Sequence, residues 1–237
     1  MIVSSNTKSD LIKEKALSEG RIGNLVLSNR FIKAGCFEGM SQGGGVTEQL
    51  IEHHRRIAEG QTAMTTVAYC SVSFDGRAFE HEMWMREEIV PDLKRITTSV
   101  HAEGAAVSIQ LGHCGYFANK QVIQRRPLGA SAKFNLFQLS YGKEMTEKDI
   151  QGKVEDFVNS AQLAKEAGFD AIEIHAGHGY LLSQFLSPYT NQRKDNYGGS
   201  LEHRVRFPYL VIKNIRQKLE PDFPILIKMN QFDGIRG

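Results

Sequence analysis

A chain of 237 residues can bury one sizeable core and does not have to be divided into domains. Its 29 Lys and Arg against 27 Asp and Glu leave a formal charge of +2, and no long block of either sign occurs, which argues against a nucleic-acid or membrane footprint and for a small-molecule partner. The start MIVSSNTKSDLIKEKALSEG lacks the roughly 7–15-residue apolar core of a secretory signal, no later run reaches the ~18 apolar residues of a membrane span, and three scattered cysteines fit a reducing compartment, so a cytoplasmic protein is expected.

In chain order, GRIGNLVLSNR (20–30) reads as a short hairpin, placed to cover the floor of whatever follows. Core strands are expected near 30–36, 62–69, 105–111, 170–175 and 224–229, with amphipathic helices near 47–59, 88–103, 146–167 and 200–218 between them. Pro91 falls in the first turns of the second helix, where a missing N–H costs little, and Ser200 follows the Tyr197–Gly199 turn as an N-cap. Gly104 and Gly168 mark helix stops. Strict alternation of strand and helix argues for a parallel sheet, here a (β/α)8 TIM barrel in the α/β class and a single domain over 1–237. The stretch 112–145, rich in Arg, Phe, Tyr and Gly, is too long for a plain connection and is assigned to substrate access. Tyr69, Tyr116, Phe117 and Trp84 either shape a pocket or fill the core.

Several signals have a plain reading beside a sharper one. SQGGGV (41–46) lacks a Walker or G-x-G-x-x-G context and reads as a flexible loop rather than a phosphate cradle. Cys36, Cys70 and Cys114 each fall at or just past the end of one of the first three strands, where a barrel would converge on its active face. A cofactor-tuning thiol or, with His113, a metal or cluster site is the sharper reading. Without C-x-x-C spacing, small buried inert thiols are preferred.

Residues 172–207, IEIHAGHGYLLSQFLSPYTNQRKDNYGGSLEHRVRF, carry the strongest signal. The buried strand AIEI (171–174), apolar but for Glu173, delivers His175, His178 and Tyr180 into a glycine-containing loop. Any one histidine could satisfy a local backbone group; together they point to a ligand site past a strand end. The spacing of His175, His178, Gly179, Tyr180, Leu181, Gln184, Phe185, Leu186 and Pro188, then Asn191, Arg193, Asp195, Tyr197, Gly198 and Gly199, then Arg204, Arg206 and Phe207, closely resembles the Old Yellow Enzyme family of flavin-dependent oxidoreductases. The likeness extends through IQLGHCG (109–115), MTEKDI (145–150), GNLVLSNRFIKAG (23–35) and FPILIKMN (223–230). The double histidine and RFIKAGCFEGM are most similar to the bacterial NADH:flavin oxidoreductase and dienoyl-CoA-reductase-like branch.

That resemblance implies FMN as cofactor, NAD(P)H as reductant, and reduction of activated C=C bonds in enones or enoyl compounds. It assigns His175 and His178 to the substrate carbonyl and Tyr180 to protonation of the α-carbon. Gln110 and Lys228 fall to the flavin ring, with the backbone of Ala34, Gly35 and Cys36 beside it. Without the resemblance, Lys228 would read as a strand-end lysine reaching solvent. Where many relatives carry Thr or Cys this chain has Phe37, so the hydrogen bond that tunes the flavin is not expected. Five strands consume the whole length and eight at that rate need roughly 380 residues, within the range of such barrels. The chain is therefore expected to stop after the fifth strand, short of the phosphate-binding loops after strands seven and eight, as a fragment or a non-catalytic shortened homologue. Its edges would then favour association with further copies, leaving a homo-oligomer open. A metal-dependent hydrolase built on His113, His175 and His178 is the weaker alternative, because the carboxylates such sites favour are missing nearby; no metal site is expected.

Overall fold

The computed structural model describes residues 8–232. Five parallel strands form its centre: β1 (Ile32–Lys33), β2 (Met64–Ser71), β3 (Ala106–Gly112), β4 (Ala171–Ala176) and β5 (Ile225–Met229). They lie side by side in sequence order, and the two-residue strand Met83–Trp84 also pairs with β2. Between them run helices α1 (Glu48–Glu59), α2 (Val90–Ala102), α3 (Glu147–Glu166), α4 (Leu181–Leu186) and α5 (Arg206–Lys218). The Lys228 ammonium on β5 donates to the carbonyl oxygen of Gly35, just past β1, at 2.6 Å. Four strand spacings of about 4.8 Å in a flat sheet would hold these strands far beyond the reach of one lysine. The sheet is therefore curled, as in a (β/α) barrel.

Side-chain alternation sorts the two faces. Val67, Val107, Ile109, Leu111, Ile172 and Ile174 point outward into one core with Leu93, Ile96, Phe157 and Phe207 of the helices. The register opposes Thr66 to Ser108, Gln110 to Glu173 and His175 to Lys228, so polar groups share the inner face. Thr47 caps α1 and Thr146 closes a capping box with Asp149 at α3. The hairpin Gly20–Ile22/Leu25–Leu27 packs Leu27 with Met64 and Ala171, against Ala106 and Leu226, and so closes the floor as expected.

Most element boundaries fall within two residues of the sequence expectation. The first strand shrinks from 30–36 to Ile32–Lys33, leaving Ala34, Gly35 and Cys36 just beyond it. The fourth helix divides into Leu201–Arg204, capped by Ser200, and α5. Pro208 has no N–H for the Arg204 carbonyl, which accounts for the break. The SQGGGV loop is a tied turn, with the Gly44 carbonyl oxygen accepting from Arg86 Nη1 at 2.9 Å, rather than a loose one. The stretch 112–145 folds into short paired strands, including Leu128–Gly129 with Lys143–Glu144. Among the described residues no helix is long and apolar enough to cross a membrane.

Candidate active site

The site gathers where β3 and β4 end. His175 is the fifth residue of β4 and buried; three residues later His178 takes a left-handed backbone, φ +56°, followed by Gly179 at +70°. That conformation is uncommon outside glycine and is typical of functional turns. It returns the His178 ring over His175, with centroids 4.9 Å apart. The Gly177 N–H donates to His175 Nδ1 at 3.1 Å, which leaves the ring proton on Nε2. His175 Nε2 lies 3.1 Å from His178 Nδ1 and donates to it. Burial first, then His178 and Lys228, lower the His175 pKa to about 3, so this pair is not charged by His175 at neutral pH. The His178 N–H is held by Asn230 Oδ1 at 2.9 Å, tying the turn to the end of β5.

Tyr180 caps α4, its ring 4.9 Å from that of His175 and 5.6 Å from that of Tyr69. Burial, then Cys114 and Glu82, push its pKa up, so the phenol keeps its proton. The turn is fixed by Gln184, fully buried, whose Nε2 donates to the carbonyls of Gly179 at 2.7 Å and Cys114 at 3.1 Å. Its Oε1 accepts from the Tyr116 N–H at 3.3 Å. Tyr180 and His178 border an apolar cleft of about 390 Å³ with Ala78, Phe79, Phe117 and Phe137. Phe37 stacks on Phe79, centroids 5.0 Å apart. Of the four aromatics left open by sequence, Tyr69 and Phe117 border the site, Tyr116 stacks beneath Phe117 at 4.5 Å, and Trp84 packs elsewhere on Phe74.

A second cluster lies on the inner face. Gln110 Nε2 donates to Glu173 Oε1 at 2.6 Å, and Lys228 reaches the Gly35 carbonyl. A Cβ on Gly35 would stand 2.7 Å from Gln110 Nε2, so only glycine lets the amide lie against this backbone. Cys36 is exposed and Cys70 and Cys114 are buried; for Cys36 the expected burial is not found, because β1 has ended before it. All three are free thiols, and burial pushes the pKa of Cys70 and Cys114 up, so both keep their proton at neutral pH.

His113 does not join His175 and His178. Its Nε2 faces Asp75 at 3.4 Å and its Nδ1 accepts from the Gly115 N–H at 2.9 Å. Among the described residues, the His/Cys/Asp/Glu atoms that converge as a metal set would need are those of Glu38, His53 and His54. There the Lys33 ammonium already holds the Glu38 carboxylate. The remainder of the long motif is scaffold. Buried Arg193 donates from Nη1 to the Ala130 and Met145 carbonyls, Asn191 ties Phe185 to Tyr197, and the Tyr197 hydroxyl donates to Glu147 at 2.7 Å.

Glu173, Asn230, Phe79, Phe137 and Glu82 were not singled out as site residues by sequence. Glu173 had a signal, the one charge in an apolar strand, and Asn230 directly follows the fifth expected strand; Phe79, Glu82 and Phe137 lie in segments without periodicity and are brought in by chain folding alone.

The profile of the NADH:flavin oxidoreductase / NADH oxidase family matches residues 21–236. The chain is 42% identical over 215 residues to a 4,4'-dithiodibutanoate disulfide reductase of Rhodococcus erythropolis, covering 91% of this chain and 53% of that protein. It is 36% identical over 220 residues to a metal reductase of Desulforamulus reducens, covering 93% and 33%. A 2-naphthoyl-CoA reductase in complex with 2-naphthoyl-CoA superposes with a TM-score of 0.87 at 27% identity, covering 90% of this chain and 35% of that one. An Old Yellow Enzyme from Pichia sp. AKU4542 shares the fold, with TM-score 0.87, 24% identity and coverage of 91% and 59%. The chain thus spans about half or less of the two curated relatives.

Proposed function

This chain belongs to the NADH:flavin oxidoreductase / NADH oxidase family, and on that premise we propose that it works as an FMN-dependent NAD(P)H oxidoreductase reducing activated C=C bonds of enones or enoyl compounds. The observation that carries the reading is the His175–His178 pair, 3.1 Å between ring nitrogens, beside Tyr180 at an apolar cleft. A carbonyl oxygen entering between those nitrogens accepts from both once His178 carries its proton on Nδ1, and two donors stabilise the enolate charge that develops there. Tyr180, protonated at neutral pH, is the acid that delivers a proton to the α-carbon. Apolar Phe79, Phe117 and Phe137 would exclude water from the alkene. FMN, when bound and reduced, supplies the hydride to the β-carbon.

Gln110, Lys228 and the backbone of Ala34, Gly35 and Cys36 are the residues that would hold the ring. They suit it: an amide, a cation and bare backbone meet on the inner face, and the lysine can balance negative charge on a reduced ring. Phe37 offers no hydrogen bond for tuning.

The test is a phenol titration of FMN-loaded protein. His175→Ala and His178→Ala should each weaken phenol binding by about 1–3 kcal/mol, from severalfold to a hundredfold, because each removes a donor from the ligand oxygen. Unchanged affinity in both variants would sink the reading.

A further inference from the structure

Behind Tyr180 lies a carboxyl group to which nothing above gives a role. Glu82 is 1% exposed. Its Oε2 accepts from the N–H groups of Ala78 at 2.7 Å and Phe79 at 3.0 Å, the same two residues that border the substrate cleft. Its Oε1 lies 3.5 Å from Cys114 Sγ. That thiol in turn lies 3.8 Å from the Tyr69 hydroxyl, and Tyr180 packs against the small cluster that Tyr69 and Cys114 form with Ala68, Ala78, Ala118 and Ile123. The thiol therefore stands between the buried carboxyl and the two tyrosines, whose ring centroids lie 5.6 Å apart. Tyr69 and Cys70 on β2, Cys114 after β3 and Tyr180 at α4 face the carboxyl from the elements packed on it, and Arg77 lies nearby on its own loop. A purely structural carboxylate with no ammonium or guanidinium in contact would be costly in such a place, and groups of this kind gather at functional sites.

We propose that Glu82 is the proton reservoir of Tyr180, refilling its hydroxyl through the Cys114 thiol as Tyr180 protonates the substrate. The inference rests on the function proposed above. As the α-carbon–hydrogen bond forms, the Tyr180 O–H bond breaks; the Cys114 S–H proton passes to the Tyr180 oxygen, and the Glu82 O–H proton passes to the sulfur. The net result is one proton gained by the substrate and one lost by Glu82, with the hydride supplied by the reduced FMN of that same reaction. The carboxylate left behind keeps its two backbone N–H donors. A buried tyrosinate, which desolvation disfavours, never has to persist. Burial raises Glu82 to about 7, so the reservoir can be filled at neutral pH.

The experiment mixes pre-reduced, FMN-loaded protein with 2-cyclohexenone across pH 5.5–8.5 and follows flavin reoxidation anaerobically. In the wild type the rate should fall above about pH 7 as Glu82 empties. Glu82→Gln, which keeps the shape and the backbone acceptor, should be about tenfold slower at pH 6, the scale of a modest general-acid contribution, with a flat profile. Cys114→Ala should behave alike and Cys114→Ser, still able to relay a proton, should retain most of the rate. A readout independent of turnover is the titration of the Glu82 carboxyl by ¹³C NMR in the flavin-free protein, whose midpoint should shift in Tyr180→Phe and Cys114→Ala. A Glu82→Gln variant with wild-type rate and profile, or a carboxyl midpoint indifferent to both partner substitutions, overturns the relay while leaving the proposed function standing. A wild type that reoxidises with no alkene reduced overturns both.

Discussion

The ends of β3 and β4 and the ends of β1 and β5 face each other across the same inner surface, yet they are built differently. At the first, His175, Gln184 and Tyr69 are buried, and side chains hold the Gly177 N–H and the Gly179 carbonyl of the turn. At the second, Ile32 is 41% and Met229 55% exposed, and Lys228 reaches Gly35 by one hydrogen bond. The difference follows from position in the sheet: β3 and β4 have a strand on each side and helices outside, whereas β1 and β5 are its edges among the described residues. The groups proposed for the substrate oxygen thus sit at the end of a stiff strand, and of those proposed for the cofactor ring Gln110 shares the stiff β3 while Lys228 and the Ala34–Cys36 backbone lie at the loose edges.

The largest effect expected from this contrast is in acid. The unfolded chain takes up the His175 proton near pH 6.5, but the folded chain refuses it until about pH 3. In that window the unfolded state binds more protons, so stability is lost as pH falls, at up to about 1.4 kcal/mol per pH unit from this group. Urea denaturation at several pH values should show the wild type losing stability relative to His175→Gln between pH 6.5 and 3; parallel curves would mean that the ring is not held neutral by burial.

Next in size is Gln184→Leu, which leaves the Tyr116 N–H and the Gly179 and Cys114 carbonyls without this partner. A loss of about 2–4 kcal/mol is expected in the urea midpoint. Lys228→Met should cost about 1 kcal/mol or less by the same measurement, since a single hydrogen bond at a half-exposed edge is removed. Equal losses in the two variants would erase the distinction between a locked and a loose half.

The same contrast governs what could be read from sequence. The apolar runs of β2 to β5 located them within two residues because strands buried outward must be apolar there. β1 was overextended, since an edge strand needs little pairing and its apolar letters continue into an extended segment. His175, His178 and Tyr180 were legible because one strand and one tight turn deliver all three. Glu82 and Cys114 were not legible as a unit: they are 32 positions apart, in loops without periodicity, and only the packing of both against Tyr69 and Tyr180 brings them together. α4 was missed because six residues are too few for a helical period to show.

The central claim is that Tyr180 gives its proton to a substrate polarised by His175 and His178. The most direct test separates the half-reactions of FMN-loaded Tyr180→Phe by stopped flow. Reduction of the flavin by NAD(P)H should proceed at close to the wild-type rate, and reduction of an enone by the pre-reduced protein should slow about a hundredfold, the usual scale of a lost general acid. Equal slowing of both half-reactions, or of neither, would contradict the assignment.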